Sequence, residues 1–165
     1  VLVCPRLLCY RSLPAFFNEM VVEATGDVLM WGNDDMVFDT SGWAPALLLA
    51  ANKYPDGLFD LGVATHNEGH FPFSTVSRKA VDAMGYLWDP NIYWGDMFLR
   101  DAMAAFGRTE MLPHVRIHHD WAGHMPDQVF LESEKDVTKI DPDYWSRTHL
   151  EAVSHAVSKL RSLHG

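Results

Sequence analysis

The amino-acid sequence predicts an α/β fold, a layered sheet with helices on both faces, in a single domain over residues 1–165. Short apolar strand-like runs alternate with longer segments that carry helix start and stop signals. Apolar residues make up 48% of the chain and charged residues 21%, as in globular proteins with a packed core. No repeat, low-complexity tract or linker interrupts the 165 residues, a length ordinary for one domain.

The first third of the chain predicts two strands and the helix between them. Residues 1–4, VLVC, have the pattern of a short buried strand. The predicted helix over 12–26 has a serine at its N-cap, a proline in its first turn and a glycine just past its end. A second buried strand, DVLMWG, follows over 27–32 and ends at three adjacent polar residues.

The rest of the chain continues the alternation of helices and strands. The predicted elements are, in chain order, a helix over 41–57, a strand over 58–66, helices over 74–85 and 93–107, a strand over 114–119 and an amphipathic C-terminal helix over 141–165. Ser74 or Thr75 is the predicted N-cap of the helix over 74–85, and Gly85 is its stop. His149 and His155, in the C-terminal helix, are predicted to be surface residues.

Charge and cysteine content exclude several classes of protein. The net charge of −9 argues against a nucleic-acid binder, which would carry clustered Lys and Arg. Cys4 and Cys9 cannot build a disulfide framework or a metal finger, so we expect reduced thiols in a cytoplasmic protein. The apolar start VLVCPRLLCY is interrupted by Pro5 and Arg6, is too short for a transmembrane segment and lacks a signal-peptide cleavage pattern.

The polar triplet Asn33, Asp34 and Asp35 is the first candidate site. It follows a predicted buried strand, and ligands of layered α/β sheets bind beyond the carboxyl ends of the strands. Adjacent carboxylates repel each other unless a cation is near, and hard oxygen ligands suit Mg²⁺ or Mn²⁺. Such an ion commonly holds a diphosphate, which suits a nucleotide substrate. An ordinary acidic turn is the alternative interpretation.

The context of the triplet resembles a known enzyme family. The segment NEMVVEATGDVLMWGNDDMVF resembles the central motif of family 2 glycosyltransferases with the GT-A fold, a helix with an early Asn, then A-x-G-D and a hydrophobic strand that ends in a DxD signature. GWAPALLLAANKYPDG is similar to the helix after that strand, YWGDMFLRDAMAAFGR to the acceptor-side helix and VRIHH to the strand whose final His completes the metal site. The resemblance covers most of residues 12–120 and implies a GT-A-like, Rossmann-like fold.

This resemblance implies a metal-dependent glycosyltransferase that moves a sugar from a nucleotide-sugar donor to an acceptor hydroxyl with inversion. Its donor site would use Asp35 as a ligand of Mn²⁺ or Mg²⁺. Asn33 or Asp34 would face the ribose and phosphates of the nucleotide. Asn18, the early Asn of the motif, belongs to the same donor side. The metal would stabilise the charge of the departing diphosphate.

The resemblance also implies an acceptor side and a second metal ligand. Asp96 corresponds to the general base that deprotonates the acceptor hydroxyl, a task that suits a carboxylate. His119 corresponds to the metal-binding His, with His118 as a competitor one residue out of phase. Trp94, in an aromatic cluster with Trp88 and Tyr93 beside Asp96, is a candidate sugar-stacking platform, whereas Trp88 is predicted to belong to the core.

The sequence departs from the family pattern at its front. The strand, helix and second strand that precede the region matching VLVCPR in the family are absent from these residues. Because those elements form most of the base and ribose pocket, a non-catalytic, dimeric binding or interaction module is the alternative function. A sheet without them would expose an edge, which predicts a homodimer through that edge.

The nine histidines of the chain suggest a third hypothesis, a His-rich metallohydrolase that binds zinc without a nucleotide. HHDWAGH offers His118, His119 and His124 beside an aspartate. HNEGH, over residues 66–70, invites comparison with the H-E-x-x-H zinc motif, but its Glu is displaced by one position. The following glycine and proline also make a helix there improbable, so we interpret HNEGH as a polar loop near the acceptor side.

Overall fold

A computed structural model of the chain describes residues 12–33, 36–65, 73–92, 94–119 and 142–163. Within these ranges the chain forms one five-stranded sheet and five helices, which confirms the α/β class. The elements are α1 Leu13–Glu23, β1 Val28–Met30, β2 Met36–Phe38, α2 Trp43–Ala51, β3 Asp60–Thr65, β4 Ser74–Ser77, α3 Arg78–Met84, α4 Gly95–Phe106, β5 Thr109–His119 and α5 Pro142–Ser162. None of these helices is long and apolar enough to cross a membrane.

The sheet is mixed, with the strand order β1-β4-β3-β5-β2. β4 is antiparallel to both β1 and β3, and β5 is parallel to β3. It follows that β1, β3 and β5 all run in the same direction, so their carboxyl ends lie at the same end of the sheet. β2 closes the other side of the sheet, antiparallel to β5.

Most predicted elements are present with shorter or shifted bounds. Helix α1 ends at Glu23 rather than at Gly26, and α2 ends at Ala51, before the Tyr-Pro-Asp-Gly turn. The last strand is longer than predicted and begins at Thr109, and its register against β3 shifts between Val63 and Ala64. Pro113 of β5 lies in this shift, which fits the inability of proline to donate to a ladder. The predicted strand over 1–4 lies outside the described residues.

The prediction of one helix over 74–85 is wrong in its first turn. Ser74–Ser77 form strand β4, all four residues are buried, and the helix begins only at Arg78. The N-cap is therefore Ser77, not Ser74 or Thr75, and its Oγ accepts a hydrogen bond from the Ala80 N–H at 3.2 Å. Tertiary pairing outweighs the local cap signal here, since β4 is inserted between β1 and β3 and its central Thr and Val suit a strand. Gly85 ends the helix as predicted, with φ +87°.

The core lies between the sheet and helices α3, α4 and α5. Its central residues are Leu61 and Val63 of β3 and Phe98 of α4, none of which is exposed to solvent. Helix α5 packs on α3 and α4. The prediction that His149 is a surface residue is wrong, because it is 6% exposed and its Nε2 lies 2.9 Å from Oδ2 of Asp101. His155 is exposed as predicted.

Candidate functional site

The triplet follows β1 at the carboxyl end of the three parallel strands. Trp31, just after the strand, is 8% exposed, whereas Gly32 and Asn33 are exposed to solvent. Asp34 and Asp35 lie outside the described residues. The N–H of Met36 donates to the carbonyl oxygen of Asn33 at 3.3 Å, so the two ends of this short polar segment are held together. The candidate site thus begins where β1 passes from the core into solvent.

The strand that follows the triplet pairs with the carboxyl end of β5. Met36 lies opposite His119, Val37 opposite His118 and Phe38 opposite Ile117. Met36 follows Asp35 directly in the chain. This register therefore places the residue next to Asp35 opposite the backbone of His119. The side chain of His119 lies outside the described residues, and that of His118 is half-buried.

Further hydrogen bonds extend the pairing of β2 and β5. The N–H groups of Asp39 and Thr40 donate to the carbonyl oxygen of Arg116 at 3.0 and 3.3 Å. The Thr40 hydroxyl donates to the His114 carbonyl at 3.2 Å and accepts from the Arg116 N–H at 2.8 Å. These bonds fix the register, since a slip of one residue would break all four and turn each β2 side chain to the opposite face.

Helix α4 brings the predicted acceptor side to the same end of the sheet. Trp94 is its N-cap residue, Asp96 lies in its first turn, and both are half-buried. Gly95 lies directly against the indole ring of Trp88, and a Cβ at this position would overlap the ring atoms. This contact requires glycine and anchors the start of α4 on Trp88.

An aromatic cluster connects the start of α4 to the triplet. The ring of Trp88 lies 5.2 Å from that of Trp31 and 4.3 Å from that of Phe17, measured between centroids, and Trp31 lies 4.9 Å from Phe73. Trp88 is 4% exposed, which confirms its prediction as a core residue. Since Trp31 precedes the triplet and Trp88 carries the start of α4, both predicted motifs lie around one buried cluster.

Asn18 holds this cluster in place from α1. Its Oδ1 accepts hydrogen bonds from the N–H groups of Leu87 and Trp88 at 2.8 and 3.1 Å, and its Nδ2 donates to the Trp88 carbonyl at 2.8 Å. These three bonds to backbone give Asn18 a structural role in positioning Trp88. Contact of Asn18 with a nucleotide donor stays a prediction.

Other residues considered in the sequence lie outside the described part of the chain, namely HNEGH (66–70), Tyr93 and His124. Among the side chains that the structure describes, no three His, Cys, Asp or Glu residues form a group able to hold a metal ion. The predicted ligands Asp35 and His119 are not among those side chains, so the metal site stays a prediction.

The opposite end of the sheet carries a buried acid that the sequence did not single out. Asp60 begins β3 and is not exposed, and burial raises the pKa of its carboxyl group to about 7. Its Oδ2 accepts a hydrogen bond from the Thr109 hydroxyl at 3.3 Å, while Oδ1 has no partner among the described residues. The available sequence signal was a single charged residue within the apolar run LFDLGV.

Comparison with known proteins found no relative of this chain. The chain matches no protein-family model, no curated protein and no solved structure. The described residues define an α/β protein whose candidate site lies at the carboxyl ends of three parallel strands.

Proposed function

We propose that this protein is a GT-A-like glycosyltransferase that transfers a sugar from a nucleotide-sugar donor to an acceptor hydroxyl with inversion. The observation that carries the proposal is the pairing of Met36 with His119. The two motifs that the sequence resemblance assigns to one metal site are far apart in the chain, yet the register of β2 and β5 joins the residue after Asp35 to the strand end at His119.

The position of α4 gives separate support. The resemblance assigns the acceptor base to Asp96, and the Trp31–Trp88–Gly95 contacts hold the start of α4 at the end of the sheet where β1 meets the triplet. In the proposed reaction the Asp96 carboxylate takes the proton of the acceptor hydroxyl while that oxygen attacks the anomeric carbon of the donor. The bond from this carbon to the diphosphate breaks, and the diphosphate leaves with the electron pair.

The residue types at this end fit a hard divalent cation. Carboxylate and amide oxygens with one imidazole nitrogen suit Mn²⁺ or Mg²⁺. Asp35 and His119 would hold the ion, and Asn33 or Asp34 would contact the ribose and phosphates. When bound, the ion would supply positive charge opposite the departing diphosphate.

The aromatic side chain of Trp94 completes the proposed acceptor side. As the N-cap residue of α4 it precedes Asp96 by two residues, and it is half-buried rather than part of the core. An acceptor sugar stacked on Trp94 would lie at the same end of α4 as Asp96.

A thermal-shift titration tests the donor site directly. The protein is heated with Mn²⁺, Mg²⁺ or Zn²⁺, each with and without a panel of nucleoside diphosphates. We expect a rise in Tm that requires both Mn²⁺ or Mg²⁺ and one nucleotide. At one hundred times its Kd a ligand stabilises by about 2.7 kcal/mol, which shifts Tm by several degrees.

Two variants make this titration specific. Asp35→Asn should abolish the nucleotide-dependent rise while the Tm without ligand stays the same. Asp82→Asn, which makes the same change in charge at an exposed site on α3, should leave the rise intact. A rise with Zn²⁺ alone would favour the metallohydrolase, and no rise with any ligand would favour the non-catalytic module. Either result would contradict the proposal.

A further inference from the structure

The backbone of Leu87 and Trp88 lies between α3 and α4, outside the described helices and strands. The two residues are only 3% and 4% exposed, so their backbone donors and acceptors need partners within the protein. Asn18 of α1 provides these partners. Its side-chain amide accepts from the N–H groups of both residues at 2.8 and 3.1 Å and donates to the Trp88 carbonyl at 2.8 Å. One side chain thus satisfies three backbone groups of this segment.

The indole ring of Trp88 is held from the same helix. The ring centroid of Phe17, the residue before Asn18, lies 4.3 Å from that of Trp88. The ring of Trp31 lies 5.2 Å away, with an angle of 79° between the two ring planes. Because protein interiors are close-packed, a buried ring with such neighbours cannot move without overlapping one of them or opening a cavity. Helix α1 therefore fixes both the backbone and the side chain of Trp88.

Trp88 in turn determines where α4 begins. The backbone of Gly95 lies so close to the indole ring that a Cβ at this position would overlap the ring atoms. Gly95 is the first residue of α4, and Asp96 follows it. The Phe98 N–H donates to the Trp94 carbonyl at 3.1 Å, which closes the first turn of the helix. A displacement of the indole ring would therefore displace this turn.

We propose that Asn18 is a positioning residue for the acceptor side of the site. By fixing Trp88 it sets, through Gly95, the position of the first turn of α4. That turn begins at Trp94 and contains Asp96. The sequence resemblance places Asn18 on the donor side, so this is a different role. The function of the turn rests on the proposed glycosyltransferase activity, whereas the contacts that position it do not.

The chemistry of an amide explains why asparagine suits this role. Its Oδ1 can accept from both N–H groups while Nδ2 donates to the Trp88 carbonyl, whereas a carboxylate of the same size cannot donate. A general base must also lie within hydrogen-bond reach of the proton that it takes. A small displacement of the first turn of α4 would therefore slow transfer without weakening the binding of a nucleotide.

Amide hydrogen exchange of the full chain, followed by NMR, tests the positioning without any substrate. The Phe98 N–H reports on the first turn of α4. The Asp60 N–H, which donates to the Arg108 carbonyl at 2.8 Å at the opposite end of the sheet, reports on global unfolding. Asn18→Leu keeps the approximate size of the side chain and removes all three hydrogen bonds. It should speed exchange at Phe98 by at least about tenfold more than at Asp60.

Two further variants make this measurement specific. Ser77→Ala removes the hydrogen bond that caps α3 at the amino end of the sheet and is the matched control. It should not speed exchange at Phe98 more than at Asp60. Asn18→Gln retains the amide on a side chain that is longer by one methylene, so it tests the positioning even if Asn18→Leu does not fold. Its exchange rate at Phe98 should lie between those of the wild type and Asn18→Leu.

Transfer kinetics separate this role from a contact with the donor. Once a donor has been found, Asn18→Leu should lower kcat by about tenfold or more, while the nucleotide-dependent rise in Tm stays as in the wild type. If the wild type shows no nucleotide-dependent rise, the glycosyltransferase proposal fails. The exchange pattern would still decide the positioning, because it is measured without a substrate.

Three outcomes would overturn the positioning role. Equal acceleration at Phe98 and Asp60 in Asn18→Leu would show a general loss of stability. Unchanged exchange at Phe98 in that variant would mean that the indole ring is held without Asn18, and loss of the nucleotide-dependent rise as well would assign Asn18 to the donor site. Faster exchange at Phe98 with an unchanged kcat would show that the turn does not position the acceptor side.

Discussion

The two ends of the sheet use their polar residues differently. At the amino end of β3 and β5 the charged side chains bind one another. Oδ2 of Asp56 accepts two hydrogen bonds from Arg108 at 2.7 and 3.1 Å, and Lys53 forms an ion pair with Glu110. At the carboxyl end, the described contacts that hold the elements together are the pairing of β2 with β5 and the packing of the aromatic cluster. Asn33 extends into solvent at this end.

This difference indicates which end is suited to ligand binding. The ion pairs Arg108–Asp56 and Lys53–Glu110 fix the geometry of the amino end. These four side chains are engaged with each other and have little capacity to bind a ligand. At the carboxyl end, the described contacts that fix the geometry are the backbone pairing of β2 with β5 and the packing of the aromatic rings around Trp88. The comparison yields four predictions, from the largest expected effect to the smallest.

The strongest test at the carboxyl end is Asp96→Asn. Loss of the proposed general base should lower the rate of sugar transfer by about 10²- to 10⁴-fold, with little change in nucleotide affinity. Transfer is measured by release of the nucleoside diphosphate once a donor has been found. Asp101→Asn on the same helix is the control, because Asp101 binds Arg100 and His149. It should reduce stability without this loss of rate, and equal rate losses in both variants would remove Asp96 from the mechanism.

The strongest test at the amino end is the pH dependence of unfolding. The pKa of Asp60 is raised by burial from 3.8 to about 7, so the folded state binds a proton that the unfolded state has already released. Stability from this group is complete below pH 4 and falls as the pH rises to about 7, by up to about 4 kcal/mol. Above pH 7 the loss is constant.

Urea unfolding between pH 4 and 8 measures this effect in the wild type and in Asp60→Asn. The variant carries no titrating carboxyl group at this position, so its stability should depend less on pH, and it should exceed the wild type above pH 7. Asp82→Asn, at an exposed position, should retain the wild-type slope. If Asp60→Asn also retained it, Asp60 would not be the group that titrates.

The packing of α4 at the carboxyl end is tested by Gly95→Ala. The added methyl group overlaps the indole ring of Trp88, and overpacking of this kind costs about 1–3 kcal/mol. Thermal unfolding should show a lower Tm, and near-UV circular dichroism should show an altered Trp signal. Gly107→Ala, at the other end of α4, meets open space, so it should cost only the left-handed φ of +79°, about 1 kcal/mol, and preserve the Trp signal. Unchanged Tm in Gly95→Ala would contradict the close contact.

The smallest effect is expected at the amino end from Ser77→Ala. The hydroxyl of Ser77 caps α3 through the Ala80 N–H, and loss of such a cap costs about 1 kcal/mol. Chemical denaturation should show this loss. Ser158→Ala, at an exposed position in α5, should leave the stability within about 0.5 kcal/mol of the wild type. A Ser77→Ala variant as stable as Ser158→Ala would show that the helix does not depend on its cap.

Local start and stop signals in the sequence predicted the helices better than the strands. The proline near the start of α1 and the glycine after α3 mark helix ends for reasons of backbone geometry that hold in any surroundings. The segment STVS carried a helix-cap pattern as well as strand-forming residues, and only its place between β1 and β3 makes it a strand. Local propensity could not decide between the two.

The candidate site was predictable in composition but not in assembly. The sequence by itself determined the α/β class, the polar triplet at the end of an apolar strand and the residue types offered to a ligand, because these depend on neighbouring residues. Tertiary structure decided that Met36 lies opposite His119, that Asn18 binds the backbone at Trp88 and that Asp60 is buried. Each of these depends on residues distant in sequence, whose approach follows from burial of the whole core and has no local signal.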